Sequence, residues 1–99
     1  MGQMLLVIYV GNTNMTFGVY RGQELVTTFR LTTKQPRTSD EYGISITELL
    51  RMNGVSKEDL EGTIIASVVP NVMHALTGAV TRYLDTPQVI VGPGVKTGL

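Results

Sequence analysis

The stretch IYVGNTNMTFGVY, residues 8–20, decides the fold. In it a run of strand-forming residues stops at Gly11, passes through Asn12, Thr13 and Asn14, and resumes. Glycine and asparagine are favoured in tight turns, and short connections join antiparallel strands. The stretch therefore predicts two antiparallel strands, residues 4–10 and 16–20, with a polar turn between them at one end of a sheet.

The pattern of strands continues beyond Tyr20. Arg21, Gly22 and Gln23 read as a short turn, and residues 24–32 as a third strand. Alternation predicts that one face of this strand carries Leu25, Thr27, Phe29 and Leu31. The first strand is apolar on both faces, which is typical of a central strand covered on two sides.

The hydrophobic period then becomes helical. Thr38 followed by Glu41 predicts a capping box, and Gly54 is a natural stop for the helix. Residues 56–61 predict a short capped turn of helix. The residues at helical spacing between cap and stop are Tyr42, Ile46, Leu49, Leu50 and Asn53.

A second run of strand formers, residues 63–69, ends before Pro70 and is followed by another helical pattern that contains Gly78. A last short strand covers residues 89–91. The order βββαβαβ predicts an α/β domain with a mixed five-stranded sheet, antiparallel on one side and parallel on the other. We expect residues 4–99 to form this single domain after a leader of residues 1–3. The second helical pattern consists of Val72, Met73, Leu76, Val80, Tyr83 and Leu84.

Composition excludes several kinds of protein. The chain has 99 residues and no cysteine, which rules out disulfides and thiol chemistry. Eight basic residues balance eight acidic ones, and no basic stripe indicates nucleic acid or a membrane surface as partner. The apolar run of residues 4–10 is too short to span a bilayer. We therefore expect a soluble, cytoplasmic protein with neither nucleic acid nor a membrane as a partner.

The turn of Gly11, Asn12, Thr13 and Asn14 has two interpretations. Backbone N–H groups and a hydroxyl at the end of a strand form a nest that suits phosphate oxygens. The alternative is an ordinary hairpin turn, for which glycine and asparagine are equally suited. The residues alone leave both open.

Four segments, LLVIYVGNTNMTFGVYRGQELVTTFRLTT, RTSDEYG, IIASVVP and VIVGPGVKTGL, together resemble the opening of a type III pantothenate kinase. The resemblance implies a ribonuclease-H-like half of an actin-like phosphotransferase, cut before its final helix. It also implies transfer of the ATP γ-phosphate to pantothenate, the first committed step towards coenzyme A.

The resemblance also implies site residues. Gly11, Asn12, Thr13 and Asn14 correspond to the first phosphate-binding loop, and Gly18 to a glycine of the returning strand. The loop implied to lead to the pantothenate pocket carries Gly92, Pro93, Gly94, Lys96, Thr97 and Gly98. For that loop a surface turn with a solvated lysine is the alternative. The implied cofactors are ATP and Mg²⁺, with a monovalent cation such as K⁺.

Two departures from the family pattern concern catalysis. Tyr9 stands where the family has an aspartate that helps to hold Mg²⁺, and a phenol is neutral at pH 7. The family's catalytic base, in a Gly-Ala-Asp-Arg stretch, and its second half would follow Leu99. We therefore assign no catalytic residue and no metal ligand, and expect the chain alone to be inactive. The alternatives are a non-catalytic nucleotide-binding or self-associating module, or an engineered or shortened chain; a homo-oligomer is expected.

Four other positions have simpler interpretations. His74 is expected to be a solvated helix residue, and Ser67 a strand residue near Pro70. Asp40 and Glu41 are adjacent in the first helical turn, where acids favour the helix start. Arg37 faces either a ligand or solvent, and the sequence does not choose between them.

Overall fold

A computed structural model describes residues 3–33, 37–67 and 69–91. Within them lies one five-stranded sheet with the strand order β3-β2-β1-β4-β5. The strands are β1 (Met4–Val10), β2 (Asn14–Arg21), β3 (Glu24–Thr32), β4 (Leu60–Ser67) and β5 (Gln88–Val91), and the α-helices are α1 (Ser39–Met52) and α2 (Met73–Ala79). Two 3-10 turns, Lys57–Asp59 and Pro70–Val72, precede β4 and α2. A π-helical turn, Val80–Leu84, extends α2.

The sheet is mixed, as the sequence predicts. β1 pairs antiparallel with β2 and parallel with β4, and β4 pairs parallel with β5. The polar turn after β1 therefore lies at the edge of the sheet where β1 and β4 both end, with Val10 paired to Ser67. Carboxyl ends of adjacent parallel strands are where α/β sheets commonly bind ligands.

The core lies on one face of the sheet. Alternate residues of β1, namely Met4, Leu6, Ile8 and Val10, are buried. They share one hydrophobic cluster with the inner stripes of both helices, so α1 and α2 cover the same face. The helical members of the cluster are Tyr42, Ile46, Leu50, Leu76, Ala79, Val80 and Leu84. No helix among the described residues is long and apolar enough to cross a bilayer.

The opposite face, here called the uncovered face, carries no helix within the described residues. Tyr9, Leu25 and Val89 are 55%, 50% and 59% exposed there. The expectation that both faces of β1 are covered is therefore met on one face only. The other apolar side chains of the uncovered face are Leu5, Val7, Tyr20, Ile64, Ala66 and Val91.

The predicted alternation in β3 is wrong at Leu25. The pairing between β2 and β3 shifts between Val19 and Tyr20, because Val19 pairs with Thr27 whereas Tyr20 pairs with Leu25. The extra residue, Val26, is a β-bulge, and a bulge reverses the parity of the residues beyond it. Leu25 therefore lies on the uncovered face, while Thr27, Phe29 and Leu31 keep the core side, where Phe29 stacks on Phe17 with ring centroids 4.9 Å apart.

The capping box of α1 is confirmed. The Glu41 amide donates to Thr38 Oγ1 at 3.1 Å, and the Thr38 amide donates to Glu41 Oε1 at 2.8 Å. At the other end Gly54 has a φ of 77°, a left-handed conformation that glycine adopts without strain. The sequence thus specifies both ends of this helix locally.

The second helical pattern forms three different turns. Its last turn is π-helical, and the Asp85 amide closes it by donating to Val80 O at 2.8 Å. At Gly78 of α2 a Cβ would lie 2.6 Å from Ser39 Oγ of α1, so a larger residue there would require the serine hydroxyl to move. Gly43 of α1 is covered by the ring of Tyr83. Both glycines therefore lie at close contacts between the helices.

β4 begins and ends earlier than predicted. It starts at Leu60, directly after the 3-10 turn, because parallel pairing with Met4 already begins there. It ends at Ser67, whose hydroxyl and Val69 exchange two hydrogen bonds of 3.0 Å that turn the chain. Gln3, placed in the leader by the sequence, donates its amide to Asp59 O at 3.0 Å.

Candidate functional site

The turn after β1 is closed by its own backbone. The Gly11 amide donates to Asn14 O at 2.9 Å. A Cβ at Gly11 would lie 3.2 Å from that same oxygen, so glycine permits the close approach without needing a positive φ. The Thr33 amide donates to Thr13 O at 2.8 Å and ties the end of β3 to the turn. The turn is therefore held from two sides.

Two amides of the turn remain available. No described residue accepts a hydrogen bond from the backbone N–H of Asn12 or Thr13. Both residues and Asn14 are exposed. Successive free amides at the end of a strand are what a phosphate group requires. Among the described residues the amides of Asn12 and Thr13 therefore have no backbone partner, while the amide of Gly11 is engaged with Asn14 O.

A cavity of about 370 Å³ lies beside the turn on the helical side of the sheet. Asn12 belongs both to the turn and to the cavity wall. The rest of the wall comes from the segments after β3 and β4 and from both helices. The lining residues are Asn12, Thr33, Arg37, Tyr42, Val69, Asn71, Val72 and Ala75.

Arg37 forms part of this wall. Its guanidinium donates to Thr32 O at 2.6 Å and to Thr32 Oγ1 at 3.3 Å. The same group stands 5.7 Å from the centroid of the Tyr42 ring, within the range of a cation–π contact. The sequence left open whether Arg37 faces a ligand or solvent. The structure holds its guanidinium at the wall of a cavity, through Thr32 and the ring of Tyr42.

Two hydroxyls of the cavity wall are orphaned. Thr33 Oγ1 and Tyr42 Oη are buried and have no hydrogen-bond partner among the described residues. Sequence reasoning places Tyr42 in the core by its helical spacing and does not single out Thr33 or Asn71. A signal was present, since Tyr42 carries a hydroxyl within the buried stripe of α1 and follows Arg37 by five residues.

Tyr9 lies apart from this cavity. It pairs with Thr16 and Ala66 and points to the uncovered face, whereas the cavity lies among the helices. No carboxylate lines the cavity, and the described residues contain no group of three or more His, Cys, Asp or Glu that could hold a metal. The described residues that line the cavity therefore do not offer the carboxylate oxygens that a magnesium ion prefers.

The remaining candidates have structural roles or lie outside the description. Ser67 is buried and its hydroxyl is engaged with Val69. Glu41 caps α1, and Asp40 accepts a hydrogen bond from the Tyr83 hydroxyl at 2.8 Å. His74 is exposed, as expected. The predicted substrate loop, Gly92, Gly94, Lys96, Thr97 and Gly98, lies outside the described residues.

A sequence model of the family described as "Type III pantothenate kinase" matches residues 5–99. The chain belongs to the type III pantothenate kinase family. The resemblance read from four short segments is therefore confirmed over nearly the whole chain.

Curated relatives in the pantothenate kinase family agree. The chain is 46% identical over 96 residues to the type III pantothenate kinase of Bifidobacterium longum strain DJO10A. It is 48% identical over 96 residues to that of Agathobacter rectalis. Both matches cover 97% of this chain but only 38% and 37% of the relatives. The chain thus spans less than two fifths of the length of these kinases.

Solved structures show the fold. The ROK hexokinase of Thermus thermophilus superposes with a TM-score of 0.62 at 16% identity, over 90% of this chain and 33% of that one. A ROK-family transcriptional regulator, a homologue of the Escherichia coli MLC protein, gives 0.69 at 13% identity, over 93% and 28%. RuvC of T. thermophilus gives 0.58 at 16% identity, over 91% and 64%. The family member therefore has the predicted ribonuclease-H-like, actin-like fold.

Proposed function

We propose that the chain is the amino-terminal, phosphate-binding half of an ATP-dependent pantothenate kinase of coenzyme A biosynthesis. The observation that carries the proposal is the pair of free amides at Asn12 and Thr13, at the edge of the sheet where β1 and β4 end. The amides donate hydrogen bonds to phosphate oxygens of ATP, and Gly11 lets the backbone turn tightly enough to present them. Asn14 is the fourth residue of this proposed ATP site.

The reaction proposed for the complete enzyme sets the limits for this chain. The γ-phosphorus of ATP gains a bond to a hydroxyl oxygen of pantothenate and loses its bond to the β–γ bridging oxygen. ADP leaves, and the hydroxyl proton passes to a base. No described residue of the cavity beside the turn offers a carboxylate for that proton. In this proposal the chain binds the phosphates of ATP, and the base that takes the proton belongs to the remainder of the complete enzyme.

Tyr9 bears on whether this chain can hold Mg²⁺. At the position where the resemblance implies a carboxylate that helps to hold Mg²⁺, two residues before Gly11, the chain has the phenol of Tyr9, and the described residues contain no cluster of three Asp, Glu, His or Cys. A monovalent cation such as K⁺ is coordinated by carbonyl oxygens and is proposed from the resemblance alone. We therefore assign the triphosphate, and no Mg²⁺ ligand, to this chain.

The substrate and partner side rests on resemblance. We propose that one loop contacts pantothenate, with Lys96 as the cation for its carboxylate. The loop residues are Gly92, Gly94, Lys96, Thr97 and Gly98.

The proposed location of the protein is the cytoplasm. A homo-oligomer is proposed because apolar side chains on the uncovered face, with Tyr9, Leu25 and Val89 half-exposed or more, favour association.

Calorimetric titration with ATP, with and without Mg²⁺, tests the proposal. We expect weak binding that is insensitive to Mg²⁺. In the Tyr9→Asp variant the added carboxylate should tighten binding of Mg·ATP by roughly tenfold and leave metal-free ATP unimproved. Leu25→Asp is the matched control, since it adds the same charge to the same face at a similar exposure, 50% against 55%.

Two results would contradict the proposal. In ¹⁵N-resolved NMR spectra, ATP should shift the amide signals of Asn12 and Thr13, and unmoved signals at saturating ATP would remove the phosphate site. A coupled assay should show no pantothenate-dependent consumption of ATP, so robust turnover by the unmodified chain would disprove its inactivity.

A further inference from the structure

We propose that the cavity beside the turn is a second anion site, which binds a carboxylate or phosphate group carried on a short aliphatic body. The site is built by Arg37, Thr33 and Tyr42 and is closed by apolar residues of the α2 side. It goes beyond the proposed function, which assigns ATP to the turn and pantothenate to the loop that carries Lys96, because the described lining residues of the cavity include only Asn12 of the turn and not that lysine.

Charge selects an anion for this cavity. Arg37 is the one charged residue among the described residues of the lining, and no carboxylate of the described residues forms an ion pair with it. A guanidinium has five N–H donors, and Thr32 engages two of them, through its carbonyl and its hydroxyl. The remaining donors and the unpaired positive charge suit an oxyanion, which arginine binds in a forked geometry.

The orphaned hydroxyls point to the same kind of ligand. Tyr42 is 1% exposed and Thr33 is 8% exposed, so water does not readily satisfy Tyr42 Oη or Thr33 Oγ1. A buried polar group without a partner is costly, and such groups in native proteins call for an explanation. Both hydroxyls can donate and both residues line the cavity with Arg37, so a side-chain shift that brings either hydroxyl to the cavity surface would let it donate to a bound anion.

Size and lining decide what carries the anion. A volume of about 370 Å³ falls in the range of small-molecule pockets and exceeds what a bare inorganic ion requires. One wall of the cavity is aliphatic and is formed by Val69, Val72 and Ala75. Besides Arg37, Thr33 and Tyr42, the described polar residues of the lining are Asn12 and Asn71. The cavity therefore fits an oxyanion with a short hydrocarbon chain.

The cavity site shares one residue with the turn. Asn12 is shared, with its backbone amide available in the turn and its residue lining the cavity. An anion in the cavity therefore lies next to any phosphate bound at the turn. Tyr9 points to the opposite face of the sheet and contacts neither an anion in the cavity nor a phosphate at the turn.

Four probes at constant ionic strength separate the features of the ligand. Butyrate and butyl phosphate carry both an oxyanion and a chain, inorganic phosphate lacks the chain, and butanol lacks the charge. In NMR titrations of the whole 99-residue chain, we expect saturable shifts of the Val72 methyls and the Asn71 amides with butyrate, butyl phosphate or both. The stronger of the two identifies the headgroup as carboxylate or phosphate.

Variants assign the binding to the named groups. Arg37→Gln should weaken binding at least about tenfold, because it removes a charge-assisted hydrogen bond. Arg21→Gln is the matched control, since Arg21 is exposed and pairs with Met4 at the opposite end of β1. Tyr42→Phe keeps the ring in the core and should weaken binding several-fold through the hydroxyl alone.

The outcomes are distinguishable from those of the ATP experiment. Shifts at Asn71 and Val72 that Arg37→Gln abolishes and Arg21→Gln preserves support the cavity site even if ATP fails to bind. The proposal is overturned if neither chain-bearing anion gives saturable shifts, if butanol binds as well as butyrate, or if Arg37→Gln binds unchanged. Shifts confined to Thr13 assign the anion to the turn and likewise overturn the cavity site.

Discussion

Tyr83 lies across Gly43, and a Cβ on that glycine would overlap the tyrosine ring. A glycine inside a helix normally costs about 1 kcal/mol relative to alanine. Here its retention is explained by a neighbour from another helix, since the ring of Tyr83 fills the space that a methyl group would take. The contact lets α1 and the π-helical turn approach closely.

Gly43→Ala therefore should destabilise the chain although alanine is the better helix former. We expect the free energy of unfolding to fall by about 1–3 kcal/mol, the usual cost of overpacking. Urea unfolding followed by circular dichroism measures it. Ser45→Ala, a substitution in the same helix that adds no atom, is the control and should change stability little; equal stability of the two variants would contradict the packing argument.

Single residues also show where sequence reasoning ends. The turn residues Gly11, Asn12 and Thr13 were identified because glycine and asparagine signal turns locally. Thr33, Tyr42 and Asn71 were not assigned to a site, because the cavity joins three segments that are distant in the chain. A local pattern reports the conformation of its own segment, and it does not report which other segments will face it.

At the level of elements, the capping box of α1 gives a local prediction. Thr38→Ala removes the acceptor of the Glu41 amide, a hydrogen bond of 3.1 Å. The loss should lower the free energy of unfolding by about 0.5–2 kcal/mol. Thermal and urea unfolding measure the change. Thr38→Ser retains a hydroxyl and should restore most of the stability, and a Ser variant as weak as Ala would show that the cap is not the cause.

The contact between α1 and the π-helical turn gives a prediction about pH. The Tyr83 hydroxyl donates to Asp40 at 2.8 Å, and this hydrogen bond to a carboxylate raises the pKa of the Tyr83 phenol above its ordinary value. The folded chain then holds the phenolic proton more tightly than the unfolded chain does. The stabilisation is complete below the unfolded pKa of about 10 and is lost as pH rises through the folded pKa.

Ultraviolet absorbance of tyrosinate measures this shift. The signal lost in Tyr83→Phe identifies the Tyr83 titration among the four tyrosines of the chain. Asp40→Asn removes the carboxylate and should bring the Tyr83 pKa back towards the ordinary value. A Tyr83 titration that Asp40→Asn leaves in place would contradict the assigned cause.

For the molecule as a whole, the main unbalanced feature is the uncovered face. Both helices pack on the other side of the sheet, and the chain carries no net charge to oppose association. We expect the chain to self-associate reversibly with rising concentration, as measured by sedimentation velocity. Val89→Lys, on the edge strand β5, should shift the distribution towards monomer.

Ile44→Lys is the matched control for association. Ile44 is 58% exposed and Val89 is 59% exposed, but Ile44 lies on α1, away from the uncovered face. It should leave association unchanged. A chain that is monomeric at every concentration, or an equal effect of the two lysines, would contradict the role of that face.

The architecture is predictable as a whole because the hydrophobic period of each segment and the turn or cap residues at its ends are visible in the sequence of that segment. β1 and β3 have the predicted bounds, and α1 has the predicted cap and stop. The errors concern contacts between elements. The side of the sheet that carries Leu25 depends on pairing with Tyr20, and the start of β4 depends on pairing with Met4. Neither partner is visible within the segment itself.

The bulge at Val26 makes the length of this hairpin adjustable. Removing Val26 would leave Val19 opposite Thr27 and Tyr20 opposite Leu25, so every remaining side chain would keep its present orientation. A deletion of one residue elsewhere in β3 would instead invert the rest of the strand. Natural variation in the number of residues between Tyr20 and Phe29 is therefore best accommodated at this position, and sequence alignments that place a gap there preserve the inside and outside of the protein.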